Sequence, residues 1–177
     1  NLISRTIAMI VKYFKGILPA PTAPEALDEE LFKAAQNAYN EATARLEKLD
    51  YANYLGSVMK LVSRANKYID ETEPWLLAKD EHKQNRLGTV LYNLAESIRI
   101  VLILISPTMP TVIERTNSQL PVFGDLNQIT WQDAGKWGLS EPGVVVRRGE
   151  ILFPRIETKK TEDAEMNETV KSPGNEA

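Results

Sequence analysis

The chain has 177 residues, which is enough for one domain with a sizeable hydrophobic core. It contains no cysteine and a single histidine, so disulfide bonds and thiolate metal sites are excluded. The formal net charge of −3 comes from residues 157–177, where six acids accompany three bases, and the preceding residues are balanced. We therefore predict an ordinary globular domain with no overall field strong enough to attract a polyanion.

Two features bear on where the protein works. The basic residues near the start are interspersed with apolar ones, which is unlike a signal peptide. The longest uninterrupted apolar run, residues 100–105, is far too short to span a bilayer. We expect a soluble, cytoplasmic domain without a membrane partner, and the initial asparagine suggests an excised or processed piece of a longer chain.

The first predicted helix covers residues 1–15 and is closed by Gly16. At about 100° per residue, one side of it carries the apolar positions Ile3, Ile7, Ile10 and Phe14. The nearly opposite side carries Asn1, Arg5 and Lys12. Asn1 and Arg5 lie one turn apart, so they form either a solvated polar face or a pair of side chains able to contact base edges.

A proline-rich connector, residues 17–24, leads into two further helices. Asp28 is the predicted N-cap of the second helix, which would run to Leu49. Asp50 is the predicted N-cap of the third helix. The apolar stripe of that helix is the strongest periodic signal in the chain: Tyr51, Tyr54, Leu55, Val58, Leu61, Val62, Ala65 and Ile69.

The third helix should stop at Pro74, because proline cannot continue a helix and favours an extended Glu73. Trp75 follows directly. A tryptophan delivered at a stiffened helix end either fills the bottom of the core or forms a plate on which a base can stack.

The remaining pattern predicts a fourth long helix with an apolar seam from Leu87 to Ile105, and a short fifth one within residues 111–119. Residues 144–146 and 151–153 could form a hairpin around Arg148 and Gly149, and Trp131 and Trp137 should cover one end of the bundle. The predicted fold is all-α, an antiparallel bundle of about four to five helices with a short irregular or hairpin C-terminal extension. It would occupy residues 1–157, and residues 158–177 would form a flexible acidic linker or tail.

No catalytic or metal-binding constellation occurs in the sequence. There is no nucleophile elbow, no glycine-rich loop that would cradle phosphate, and no metal-ligand spacing. His82 lies among charged residues that favour the surface, and the adjacent acids Glu71 and Glu73 fall at a helix end rather than in a predicted pocket. We expect this chain by itself to have neither catalytic residues nor a cofactor.

Several short strings follow one another along the chain in a specific order: NLISR at 1–5, ANKYID at 65–70, PW at 74–75, LAK at 77–79, LY at 91–92, PTMP at 107–110, Gly149, and LFPRIE at 152–157. The same order is found in methionyl-tRNA synthetases, and the chain resembles the helical anticodon-binding domain of that family over residues 1–157. The family often has phenylalanine at the position of Thr108, a difference that concerns packing more than recognition.

The resemblance implies that Asn1, Arg5 and Trp75 bind the anticodon CAU of methionine tRNA. It also implies a parent methionine–tRNA ligase whose catalytic domain, which is absent from this sequence, uses ATP with magnesium. The tail would be a linker that in some members leads to a further tRNA-binding domain. From charge placement alone, Lys12 and Lys15 are candidates for phosphate contacts.

Two alternatives remain at this point. One is the anticodon domain of another class I aminoacyl-tRNA synthetase. The other is a helical adaptor that binds proteins through its apolar seams, which predicts a buried Trp75 and no affinity for RNA.

Overall fold

A bundle of helices makes up residues 2–154, the part of the chain that the computed structural model describes. The helices are α1 (Leu2–Phe14), α2 (Ala26–Leu46), α3 (Tyr51–Thr72), α4 (Pro74–Leu77), α5 (Gln84–Ile105) and α6 (Val112–Asn117). Short 3₁₀ turns lie at Glu81–Lys83, Leu126–Gln128 and Trp131–Gly135. The all-α prediction is confirmed. The predicted tail, residues 158–177, lies outside the described residues, as does Asn1.

The long helices pack antiparallel to their neighbours. Only residues 47–50 join α2 to α3, and so short a turn reverses the chain direction. At one end of α3 the Tyr54 hydroxyl donates to the carbonyl of Leu104, and at the other end Asn93 donates to the Tyr68 hydroxyl at 3.2 Å. The start of α3 therefore meets the end of α5, which confirms the antiparallel bundle.

Helix α5 is the centre of the domain. Residues 86–100 are buried on every side, whereas Val101 and Ile105, at the end of the predicted apolar seam, are only partly covered. The segment Glu81–Ile105 is long and apolar enough to cross a membrane, but 89% of its most hydropathic window is buried in the bundle, as in the core helix of a globular domain. Gly88 allows close packing there, because an added Cβ would lie 3.2 Å from Pro19 and 3.5 Å from Phe14.

The predicted start and end of the second helix are wrong. Its N-cap is Glu25, and Asp28 is the third helical residue, whose carboxylate accepts from the Glu25 backbone N–H at 3.0 Å in a reciprocal capping box. The helix ends at Leu46, and Leu49 has a φ of 58° in the turn that follows. The predicted cap of the third helix is confirmed, because the Asp50 side chain accepts from the Asn53 N–H.

The predicted hairpin around Arg148 and Gly149 is also wrong. Within the described residues, the extended segment at 144–146 pairs instead with the connector after α1, through an antiparallel bridge between Ile17 and Val145. The edge opposite Val145 is supplied by a segment about 130 positions away, which local alternation could not indicate.

Trp131 and Trp137 pack along the side of α2 rather than over an end of the bundle. The Trp137 ring meets Phe32 edge-on at 5.8 Å, and the Trp131 ring lies 6.4 Å from Tyr39. Phe32 and Tyr39 are two turns apart, so the two tryptophans contact α2 at two successive places along its length.

A buried ion pair on α5 holds the segment that carries Trp131 and Trp137 in place. Glu96 and Arg99 are one turn apart on α5, at 2.6 Å, with side chains 0% and 2% exposed. The Glu96 carboxylate also accepts from three consecutive backbone N–H groups, those of Gly138, Leu139 and Ser140, at 2.8–3.1 Å. Both buried charges therefore have hydrogen-bonding partners. Without those partners, burying the charges would be costly.

Candidate nucleic-acid interface

The end of α3 is built to present Trp75. Glu73 has φ 44° and ψ 57°, a left-handed conformation and not the extended one that the sequence predicted. This turn ends α3 and places Pro74 at the first position of α4, where its missing N–H and fixed φ cost nothing. Pro74 is buried, whereas Trp75 is 40% exposed. The indole is thus carried on a short rigid element with much of its surface open to solvent.

Arg5 lies beside the same helix end. Its guanidinium donates to the Asp70 carboxylate at 3.4 Å, and the two side chains are 37% and 67% exposed. Asp70 is five residues before Trp75, so α1 and the end of α3 bring Arg5 and Trp75 to one region of the surface. Because both side chains are this exposed, the pair contributes little to the stability of the fold.

A buried polar cluster braces this end of the bundle from below. Arg86, at the start of α5, donates two hydrogen bonds to Asp28 of α2, at 2.7 and 2.8 Å. The Tyr68 hydroxyl, near the end of α3, donates to the same carboxylate at 2.6 Å. Arg86 also donates to the Ala23 carbonyl in the connector at 3.2 Å. Four chain segments are fixed to one another near the end of α3, the helix that leads to Trp75.

The electrostatics of the cluster follow from its hydrogen bonds. Burial disfavours the ionised Asp28, but the hydrogen bonds from Arg86 and Tyr68 outweigh it and lower the pKa of Asp28 below its ordinary 3.8. Burial, and next the hydrogen bond to Asp28, raise the pKa of Tyr68 above its ordinary 10.0. The cluster therefore remains an ion pair with a neutral phenol at neutral pH, a stable support with no titration near physiological pH.

The two candidate phosphate ligands lie on the outward face of α1 and just beyond it. Lys12 and Lys15 are both exposed, and the Lys12 ammonium lies 5.1 Å from the centre of the Tyr13 ring. Lys12 is two turns after Arg5, on the same side of the helix. Asn1 lies outside the described residues, so of the three predicted anticodon residues the structure places Arg5 and Trp75.

Sequence analysis missed the parts of the site that depend on distant contacts. Asp70 follows the apolar stripe of α3, but nothing local indicates that it would meet Arg5. The Asp28, Tyr68 and Arg86 cluster joins positions up to 58 residues apart, and its members are separated by ordinary helical sequence. Within residues 2–154, no group of three or more His, Asp or Glu side chains is placed to hold a metal ion.

Comparison with known proteins defines the class. Residues 28–141 match the family described as "Anticodon-binding domain of tRNA ligase". The match covers more than half of the chain, including nearly all of α2 and the whole of α3, α4, α5 and α6. The chain belongs to the anticodon-binding domains of tRNA ligases.

The individual relatives that the chain resembles are methionyl-tRNA synthetases. The chain is 54% identical over 160 residues to a methionine–tRNA ligase of Caldanaerobacter subterraneus, and 48% identical over 159 residues to that of Clostridium tetani. Both alignments cover 90% of this chain but only 25% and 24% of the relative, so the chain spans about a quarter of their length. Its fold is that of part of the solved Mycobacterium tuberculosis methionyl-tRNA synthetase, with a TM-score of 0.81 at 27% identity over 90% of this chain and 32% of that one.

Proposed function

We propose that this domain selects methionine tRNA by its CAU anticodon. Trp75 would stack on an unpaired loop base, while Arg5 and Asn1 contact the edges of splayed bases. The observation that carries the proposal is a 40% exposed Trp75 at the turn that ends α3, five residues after Asp70, the residue that Arg5 contacts. The adaptor alternative predicted a buried Trp75, which disagrees with this exposure.

Discrimination would come from the hydrogen-bonding side chains rather than from the ring. Every base has a face that can stack on indole, so Trp75 supplies affinity with little preference. A guanidinium or amide placed against a base edge loses its partner when the base is wrong, and an unpaired polar group is costly. Lys12 and Lys15 would add phosphate contacts that do not depend on sequence.

The chemistry would belong to the longer protein. We infer that the parent is a cytoplasmic methionine–tRNA ligase whose catalytic part uses ATP and magnesium to attach methionine to the tRNA selected here. The relatives support this inference, because they are methionine–tRNA ligases about four times as long as the chain. The catalytic domain of the same polypeptide and methionine tRNA would be its partners.

A fluorescence titration with an RNA stem-loop tests the anticodon proposal. Because the chain has three tryptophans, Trp75→Phe assigns the signal, and a second loop changes only the first anticodon base. We expect quenching that depends on Trp75 and binding that weakens sharply with the changed base. Trp75→Ala should weaken CAU binding by about 5- to 150-fold, the equivalent of about 1–3 kcal/mol of stacking.

Leu139→Ala is the matched control. Leu139 is 45% exposed, close to the exposure of Trp75, and it lies in the segment held by Glu96 rather than beside Arg5. It should leave RNA affinity unchanged. Equal affinity for both loops, or no binding at low salt where phosphate contacts are strongest, would refute the proposal.

A further inference from the structure

Two distant segments of the chain meet just beyond the end of α1. The Val146 N–H donates to the Gly16 carbonyl at 2.7 Å, and the Leu18 N–H donates to the Val144 carbonyl at 3.0 Å. These bonds flank the antiparallel bridge between Ile17 and Val145. Lys15 comes directly before Gly16, and Arg147 comes directly after Val146. Both residues therefore adjoin the hydrogen bond that joins the two segments.

The arginines that follow this bridge differ from the other described arginines in their ion pairing. Six arginines in residues 2–154 form ion pairs with carboxylates: Arg5, Arg45, Arg64, Arg86, Arg99 and Arg115. Arg147 and Arg148 form none within the described part of the chain, and both are exposed. The nearest acid that follows them, Glu150, is engaged by Arg115 at 3.1 Å.

The backbone that carries these cations is fixed. Lys15 has a φ of 53° and Gly16 a φ of 79°, both left-handed. An added Cβ at Gly16 would lie 2.8 Å from the Val146 carbonyl oxygen, so only glycine permits this close approach. The spacing between the two segments is therefore set before any ligand arrives, which reduces the entropic cost of binding.

The cations also continue the line of the proposed base-reading site. Arg5, Lys12 and Lys15 are seven and three positions apart, which places them on one outward side along α1 and just past its end. At a rise of 1.5 Å per residue, Arg5 and Lys15 are separated by roughly 15 Å along the helix axis. A nucleic-acid strand bound at Arg5 and Trp75 could follow α1 and reach Arg147.

We propose that Lys12, Lys15, Arg147 and Arg148 form a phosphate-binding patch for the RNA strand that adjoins the anticodon loop. The patch rests on the proposed anticodon function and adds to it two arginines from the far end of the domain. Guanidinium groups match phosphate oxygens with two parallel hydrogen bonds, and lysines add point charges. Such contacts set affinity and orientation without selecting sequence.

The salt dependence of binding tests the patch. Dissociation constants of a CAU stem-loop are measured between about 0.05 and 0.2 M salt. Each lost phosphate contact should reduce the slope of log K against log salt by about 0.7–0.9, so Arg147→Gln with Arg148→Gln should reduce it by about 1.4–1.8. The preference for CAU over a changed loop should stay the same, and Arg147→Lys with Arg148→Lys should keep most of the slope.

The matched control removes the same charge elsewhere. Lys33 and Lys48 are exposed and form no ion pair within residues 2–154, so Lys33→Gln with Lys48→Gln should leave the slope unchanged. An unchanged slope in the arginine variant, or an equal fall in the control, would overturn the patch. If the unmodified chain bound the CAU loop and the changed loop equally, the anticodon proposal would be overturned instead. The two outcomes are distinguishable because the salt slope is measured independently of the preference for CAU.

Discussion

The Arg5 guanidinium lies 3.4 Å from the Asp70 carboxylate, across 65 positions of sequence. The contact ties the first turns of α1 to the last turn of α3, next to the turn that presents Trp75. Because both side chains are substantially exposed, the ion pair adds little to stability, and its consequence is where the Arg5 guanidinium points.

Asp70→Asn should separate binding from stability. Exposed ion pairs contribute about 0–1 kcal/mol, so the free energy of unfolding should change by less than about 1 kcal/mol. Removing the carboxylate lowers the negative charge beside the RNA, so all loops should bind more tightly. It also releases Arg5, so the ratio of the affinities for the CAU loop and the changed loop should fall. Titration of both loops, with a urea melt, measures the two effects. The control is Glu47→Gln, which lies between the end of α2 and the start of α3, and it should change neither quantity. A preserved CAU preference in Asp70→Asn would contradict the orienting role.

Glu96→Gln should strongly destabilise the domain. The substitution leaves the buried Arg99 charge without its carboxylate and weakens the acceptor of three backbone N–H groups. Breaking a buried pair by changing one partner costs about 3–5 kcal/mol. Chemical denaturation of the variant measures this loss of unfolding free energy. Glu41→Gln breaks the exposed pair with Lys60, at 2.9 Å, and should cost less than about 1 kcal/mol. Similar losses in both variants would show that burial is not the cause.

Two glycines should respond to alanine in opposite directions. At Gly135 an added Cβ would lie 2.8 Å from the Tyr39 ring, which is itself packed against Trp131, so Gly135→Ala should lower the melting temperature. Gly56 lies inside α3 with nothing within 4 Å of an added Cβ. Gly56→Ala should stabilise by about 0.5–1 kcal/mol through helix propensity. Thermal melts of the two variants measure the shifts in melting temperature. Equal shifts of the same sign would contradict the packing difference.

Acid should weaken the domain through carboxylates held ionised by the fold. Hydrogen bonds from the Thr130 backbone N–H and from Lys136 lower the pKa of Asp133 from 3.8 to about 2. A carboxyl group whose pKa is lower in the folded chain than in the unfolded chain stabilises the fold at pH values above the unfolded pKa. That stabilisation is lost as the pH falls from about 3.8 towards 2. Asp133→Asn should therefore show a shallower fall of unfolding free energy over this interval than the unmodified chain. Parallel pH–stability curves would contradict the assignment. Burial disfavours the ionised Glu96, but the hydrogen bond and charge of Arg99 outweigh it and lower the pKa of Glu96 below its ordinary 4.5. The unmodified chain should therefore lose further stability as the pH falls below about 4.5.

The order of the elements could be predicted from the sequence because each element has a local physical cause. Apolar spacing of three and four positions produces an amphipathic helix whatever its neighbours are. Asp50 caps α3 because its side chain reaches the backbone three residues later. Pro74 ends α3 as predicted, since the constraint is covalent, although it starts a further short helix at the same time.

The site itself required tertiary structure. Whether Trp75 is buried or exposed depends on which surfaces surround the end of α3, and the sequence left both possibilities open. The ion pair of Arg5 with Asp70, the bracing of Asp28 by Arg86, and the bridge of Ile17 with Val145 each join residues separated by 58 to more than 100 positions. Helical periodicity determines which residues share a face, but only the packing of one helix against another decides which faces meet.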